Sequence, residues 1–346
     1  MQTFLITGGC GFVGSNIAAK LLQAGERVIL VDNLSRTGSP ENLQWLKTLG
    51  RPEFEQLDVG EPMMLSDAIK RAAPDVVFHL AGQVAMTTSL QSPFADFRTN
   101  VVGTLNLLEA VRLHSPGTVV VYSSSNKVYG ALQGVSLVEE ESRYSAPDYP
   151  KGLSEKLPLD FRTPYGCSKG AADQYVLEYA RTFGLKTAVF RHSTIYGSRQ
   201  RSTFDQGWVG WFCMQALEQA SGGVGDSFTI SGDGKQVRDM LHVDDAVSCY
   251  LQAASSIEKI KGQAFNIGGG AANSSSLLEL FELLENELRV SLRYRKLDWR
   301  HEDQKYFVAD NTKIRSAIGW RPTVTKKEGV LNTLEWIRSC SARIAE

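Results

Sequence analysis

Six short apolar runs, rich in β-branched residues, mark the chain up to residue 193: TFLIT (3–7), RVILVD (27–32), FEQLDV (54–59), DVVFHLAG (75–82), TVVVYSS (118–124) and KTAVFRHS (186–193). The runs are continuous rather than alternating, which suits strands buried on both faces of a parallel sheet. Between them lie amphipathic stretches such as Val13 to Ala24, closed by Gly25, and Gly103 to Leu113, which read as crossover helices. A βαβ series of this length predicts an α/β fold with a doubly wound parallel sheet.

The first run leads into TGGCGFVG, with glycines at 8, 9, 11 and 14. Glycine costs a helix or strand up to about 1 kcal/mol relative to alanine, so four in eight positions imply a need for missing side chains. At a strand-to-helix junction the need is specific. Gly8 permits the tight turn, Gly11 lets a pyrophosphate approach the backbone, and Gly14 lets helix and strand pack closely. Amide groups and the helix dipole then hold the anion. The second strand ends in Asp32, placed to accept the hydroxyls of an adenosine ribose and to repel a 2′-phosphate, which favours NAD over NADP. The expectation is therefore a Rossmann-type sheet.

Beyond about residue 195 the pattern loosens, with glycine-rich turns at 221–225 and 232–234 and a helix from Ser276 to Glu287. A smaller second domain is expected, interleaved with the first, because VRDMLHVDDAVSCYLQA (237–253) reads as a strand and helix returning to the main sheet. The division is 1–193 plus about 237–268 for the dinucleotide, and 194–236 plus 269–346 for a substrate.

With 37 Lys and Arg against 38 Asp and Glu, the chain has no positive field for nucleic acid or anionic lipid. A small-molecule ligand held by local groups is the expectation. The five cysteines (10, 167, 213, 249, 340) are odd in number, scattered and without a CxxC pair, which predicts buried free thiols, a reducing compartment and no metal site. No basic segment precedes an apolar run at the N-terminus and no window reaches membrane-spanning length, so a cytoplasmic protein is expected.

Two further stretches carry chemistry. SSSNKVYG (123–130) ends the fifth strand, at the carboxyl edge where open α/β sheets bind ligands. PYGCSKGAADQY (164–175) opens a helix on which Tyr165 and Lys169, four apart, share one face. An ammonium beside a phenol favours the phenolate, and Tyr165 then serves as a base near neutral pH.

From TGGCGFVG through DNLSR, HLAG, NVVGT, SSSNKVYG and YGCSK to GKQVRDMLHVDD, FNIGG and IGWRP, nearly the whole chain resembles the extended short-chain dehydrogenase/reductase family of nucleotide-sugar epimerases and dehydratases. Through GQVAMTTS (82–89), FDQGWVGWF (204–212) and RHEDQKYFVAD (300–310) it is most similar to the branch that inverts C2 of a CDP-hexose. The resemblance implies that Ser125, Tyr165 and Lys169 form the catalytic group. It implies NAD contacts from Gly8, Gly11, Phe12, Val13, Asp32, Asn33, Arg36, Asp58, Val59, Leu80, Ala81, Gly82, Asn100, Ser123 and His192, with Tyr165 and Lys169 on the nicotinamide ribose. The nucleotide-sugar substrate would meet Thr87, Ser125, Asn126, Gln206, Arg238, Arg300 and Asp303, the two guanidinium groups gripping the diphosphate. A surface ion pair of Arg238 or Arg300 with Asp239 or Asp303 is the alternative. The family also implies pairing of subunits through the helices near 97–113 and 165–183, as a dimer or tetramer.

The implied activity is epimerisation by transient oxidation, with the hydride returned to the opposite face of a keto sugar. A C4 epimerase and a 4,6-dehydratase are the enzymatic alternatives, and a dinucleotide-binding sensor or scaffold is the non-enzymatic one. Dehydratases of the family carry an Asp-Glu pair after the active-site hydroxyl residue, where this chain has Asn126 and Lys127. Two other departures stand out. Many relatives have Asn where this chain has Thr194, and the similar epimerases have Thr at the place of Ser125.

Overall fold

The computed structural model describes residues 1–222, 227–300 and 302–342. Seven parallel strands form the central sheet, in the order Gln263–Ile267, Lys186–His192, Val119–Ser125, Val76–His79, Thr3–Thr7, Arg27–Asp32 and Glu53–Gln56. Successive residues of a strand face opposite layers, so the continuous apolar runs feed two cores at once. Ile6, Phe78, Val121 and Phe190 pack on one side with the helices Phe12–Gln23 and Val243–Ser255. Their neighbours Leu5, Val77, Val120 and Val189 pack on the other, against Leu107 and Val111 of the helix Gly103–His114 and Val176 of the helix Thr163–Phe183. Each such buried side chain contributes on the order of 1.5–3 kcal/mol relative to exposure.

The second lobe has its own core. Phe212, Phe228, Phe281 and Tyr294 interlock between the helices Trp208–Ala220 and Leu277–Leu288 and a two-stranded parallel sheet, Phe228–Ser231 with Tyr294–Leu297. Ser276 caps the second of these helices rather than opening it, its hydroxyl accepting from the Glu279 amide while the Glu279 carboxylate accepts from the Ser276 amide. Where the lobes meet, Val128, Tyr129, Leu153, Phe307 and Val308 form a further apolar cluster beneath the site.

Three expectations are corrected. The strand Val237–His242 does not join the central sheet. Its end pairs with Thr194–Tyr196, which leaves the sheet just after His192, and its start pairs with Ser274–Ser276 and Tyr306–Phe307. Only the following helix returns to the main layer, and Gln263–Ile267 supplies the seventh strand. The third strand stops at Gln56 because Asp58 turns the chain, its carboxylate accepting the Gly60 amide at 2.8 Å and its carbonyl the Glu61 amide at 3.0 Å. All five cysteines are free, but only Cys10, Cys213 and Cys249 are buried, Cys167 being exposed and Cys340 half-buried. The turn predicted at 221–225 lies mostly outside the described residues; Gly232 and Gly234 do form a turn, both with positive φ. Among the described residues no helix is long and apolar enough to cross a membrane.

Candidate active site

The glycine loop begins where the first strand ends. Gly8 takes φ +67° and donates to the Val31 carbonyl at 2.8 Å, and a Cβ there would stand 2.8 Å from the Ala81 amide. A Cβ on Gly14 would come within 2.2 Å of the Gly8 carbonyl oxygen. Both positions therefore exclude side chains for steric reasons, whereas Gly11 is more open and forms the N-cap of the helix Phe12–Gln23 with no side chain capping it. The helix N-terminus thus faces the loop, with Phe12 and Val13 half-buried in its first turn.

Asp32 ends the second strand with its carboxylate anchored by the backbone, accepting from Cys10 at 3.0 Å and Leu34 at 2.8 Å. Burial pushes its pKa up, and the amides of Leu34, Cys10 and Gly11 pull the other way. Asn33 donates to Asp58 at 2.9 Å, and Arg36 is exposed on the following loop. Val59 accepts from Asn106 at 2.9 Å. On the other side of the loop, Leu80 and Ala81 bond to Thr7, and a Cβ on Gly82 would lie 3.0 Å from Asn100 Oδ1 and 3.6 Å from Lys169 Nζ. Asn100 sits in a π-helical turn, Arg98–Val102, bonded through its amide group to Gln83 and Ser168. Such turns recur at functional sites because they bulge a side chain out of helical register.

The chemistry converges at the ends of the strands Val119–Ser125 and Lys186–His192. Pro164 starts the helix Thr163–Phe183, and Tyr165 and Lys169 lie on its buried face, 7% and 3% exposed. Lys169 Nζ donates to the Ser123 carbonyl at 2.6 Å and lies 4.7 Å from the centre of the Tyr122 ring. Ser125 Oγ accepts from the Lys127 amide at 3.2 Å, and its hydroxyl pulls the Tyr165 pKa down. His192 Nε2 lies 2.7 Å from the Tyr250 hydroxyl, and among the described residues its buried Nδ1 has no partner. Burial, with a smaller push from Lys169, lowers this imidazole to a pKa of about 3, so it is neutral.

The expected lowering of the Tyr165 pKa is not what the structure has. Burial pushes the phenol up to about 12, against the pull of the Ser125 hydrogen bond, and Asp96 adds to the rise. Burial lowers Lys169 to about 8, opposed by Asp96 and Asp173. With the protein's own groups alone, Tyr165 is a protonated phenol at neutral pH.

Beside this group opens a cavity of about 290 Å³. Ser125, Asn126, Tyr165, Gln206, Arg238, Arg300 and Asp303 all line it. Thr87 does not line it but donates to Asp205, which does, at 2.8 Å. Arg238 meets Asp303 at 2.9 Å, while Asp239 faces away, accepting from Ala309 and Gly270. Arg300 donates to Ser231 and to the Phe204 carbonyl, its guanidinium 4.9 Å from the Phe204 ring centre. The sequence reading left out Trp208, Trp211 and Lys127 of the cavity wall, and Gln304, which holds Asn126 at 2.7 Å. The segment FDQGWVGWF had marked the tryptophans as unusual without giving them a place. Nothing in the sequence pairs residue 126 with residue 304.

The sequence profile of the NAD dependent epimerase/dehydratase family matches residues 4–268. Over 97% of this chain and 99% of the relative, the sequence is 54% identical to a CDP-paratose 2-epimerase of Salmonella typhi. The fold is similar to that of a UDP-glucose 4-epimerase of Thermotoga maritima, solved with UDP-glucose, with a TM-score of 0.83 and 30% identity over 98% of this chain and 99% of the other. It is also similar to a UDP-glucuronic acid 4-epimerase of Bacillus cereus, solved with UDP-glucuronic acid and NAD, with a TM-score of 0.82 and 26% identity over 98% and 99%. The tight glycine turn, the anchored acid at the second strand and the buried serine, tyrosine and lysine thus stand in a chain that belongs to the NAD dependent epimerase/dehydratase family.

Proposed function

We propose that this enzyme inverts C2 of a CDP-linked hexose by transient oxidation to a keto sugar and return of the hydride to the opposite face. The observation that carries the reading is the near full-length likeness to a CDP-paratose 2-epimerase. The segment FDQGWVGWF, on which that likeness partly rests, supports it by lining the cavity through Phe204, Gln206, Trp208, Trp211 and Phe212. A dehydratase reading needs the Asp-Glu pair that such enzymes of the family carry after the active-site hydroxyl, and Asn126 and Lys127 are not that pair of carboxyl groups.

The residues present fit NAD. The glycine turn excludes side chains where a pyrophosphate would lie, Asp32 suits the adenosine ribose, and His192 Nδ1 is a buried polar atom in want of a partner. When bound, NAD supplies a hydride acceptor and a cationic ring that favours the phenolate of Tyr165. Lys169 holds the nicotinamide ribose, Ser125 hydrogen-bonds the reacting oxygen, and Tyr165 takes the hydroxyl proton and gives it back. Asn33, Arg36, Asp58, Val59, Leu80 to Gly82, Asn100 and Ser123 complete the dinucleotide side; Gln206, Arg238, Arg300 and Asp303 hold the sugar nucleotide.

The five free thiols support a reducing, cytoplasmic setting. Exposed Phe94, Phe97, Leu113, Tyr175 and Phe183, on or beside the helices Gly103–His114 and Thr163–Phe183, support pairing with a second copy. Light scattering tests this; a 38.1 kDa species at micromolar concentration would contradict it.

Incubation with CDP-, UDP- and GDP-hexoses, followed by proton NMR, tests the reaction. The expected result is conversion of a CDP-hexose with a changed H1–H2 coupling and an unchanged C4 configuration. Inversion at C4, or appearance of a 4-keto-6-deoxy product, counts against the proposal.

A further inference from the structure

The turn that follows Ser125 carries a cation with no part in the mechanism above. Lys127 lines the cavity with its side chain 15% exposed, two residues from the catalytic hydroxyl and tied to it through its own amide. Its ammonium is poorly satisfied. Among the described residues its contacts are to Asp303 at 3.4 Å and the Glu302 carbonyl at 3.5 Å, both at the outer limit of hydrogen bonding, for a group with three donors. The same oxygen, Asp303 Oδ1, accepts from Arg238 at 2.9 Å, so Lys127 and Arg238 converge on one atom. Burial pushes the Lys127 pKa down, Asp303 pulls it up and Arg238 opposes that, which describes a desolvated cation short of negative charge. Burial also presses most strongly on Asp303, upward, but Arg238 and Lys127 together hold its pKa below the ordinary value.

The chemistry of the substrate gives this cation a partner. C2 of a nucleotide sugar is bonded to the anomeric carbon that bears the diphosphate, whereas C4 lies across the ring. An enzyme that brings C2 to the Ser125 and Tyr165 hydroxyls must therefore accept the sugar-side phosphate close to them, at a depth that inversion of C4 does not require. Arg238 and Arg300 stand on the second lobe; Lys127 alone among the described cations of the cavity stands on the catalytic turn, Asn126–Tyr129. We propose that Lys127 is a substrate-binding residue whose ammonium holds the β-phosphate of the nucleotide sugar against the catalytic group. This rests on the C2 reading for its geometry. Charge makes the contact consequential. The described lining residues include three cations, Lys127, Arg238 and Arg300, against Asp205 and Asp303. Removing Lys127 leaves no net positive charge to meet a diphosphate.

The test compares a nucleoside diphosphate with its monophosphate on the NAD-containing protein by calorimetry. The parent first shows which of CDP, UDP and GDP binds, and that base is used throughout; a base other than cytosine overturns the assigned nucleotide without affecting this comparison. In Lys127→Met, Asp303 keeps Arg238, so the fold and NAD content are retained. Affinity for the diphosphate is expected to fall about 10- to 100-fold, the range for a hydrogen bond to a charged group. Affinity for the monophosphate is expected to stay at the parent value, and Lys127→Arg to recover part of the loss. Equal weakening of both ligands, or of neither, overturns the proposal. Failure of the C2 reading appears separately, in the parent's coupling constants.

Discussion

Tyr165→Phe is expected to lower turnover by about 10²- to 10⁴-fold, the range for loss of a positioned acid–base group, while leaving the fold and the bound nucleotide unchanged. The ring stays packed. Only the hydroxyl is lost, and the Ser125 side chain keeps the Lys127 amide and Asn126 as partners. The cost in stability is that of one hydrogen bond, about 1 kcal/mol. Steady-state rates, thermal unfolding and the NAD released on denaturation check the three parts together. Turnover equal to the parent's would remove Tyr165 from the chemistry.

The same residues set a pH dependence. A base whose phenol is pushed up to about 12 works better as pH rises, so kcat/KM is expected to climb from acid to neutral pH. Lys169 opposes this above about 8, where it loses the proton that makes it useful to a phenolate. The profile should therefore bend down on the alkaline side. Stability has the other sign. Because the folded pKa of Lys169 lies below the unfolded value, the unfolded chain binds more protons between about 8 and 10.5, and this group's contribution to stability rises with pH across that window. At neutral pH the buried ammonium costs on the order of 3 kcal/mol.

Arg191→Met is expected to destabilise the protein by about 3–5 kcal/mol, the cost of leaving a buried charge without its partner. Arg191, on the strand Lys186–His192, forks onto Asp173 with two bonds of 2.8 Å, and their side chains are 5% and 0% exposed. Asp173 lies one turn beyond Lys169 on the catalytic helix and also accepts from Ser124 at 2.8 Å, while Arg191 reaches the Tyr129 hydroxyl at 3.0 Å. The pair therefore fixes the helix carrying Tyr165 and Lys169 to the two strands whose ends hold Ser125 and His192. Denaturant unfolding measures the loss. Asp173→Leu combined with Arg191→Met should restore most of it, since removing both leaves no buried charge unpaired, although the Ser124 hydroxyl loses its acceptor. A single variant as stable as the parent would show that the network does not hold the helix.

The buried parallel layer was readable because its signal is local. Leu5 and Ile6, or Val120 and Val121, are apolar on both faces, and the run itself reports that environment. The glycine turn and Asp32 were equally plain, since sterics at Gly8 and Gly14 leave little choice of residue. Partners distant in sequence were not readable. Val237–His242 has the pattern of a central strand, but its neighbours come from residues 194–196, 274–276 and 306–307, and no periodicity encodes that choice. Asn126 with Gln304 and Lys127 with Asp303 are side-chain pairs across the lobes, invisible until the fold joins them. The Tyr165 pKa went the wrong way for a related reason. Spacing along a helix shows which charge is near, while the dominant influence, burial, is a property of the whole packed site.

The central claim is that a hydride leaves C2 of the sugar and returns to the same carbon of the same molecule. Substrate deuterated at C2, and separately at C4, measures this directly. The account predicts slowed turnover with the C2 label only, and product that keeps deuterium at C2 with the opposite configuration. Slowing by the C4 label alone, or loss of deuterium to solvent from C2, would contradict it.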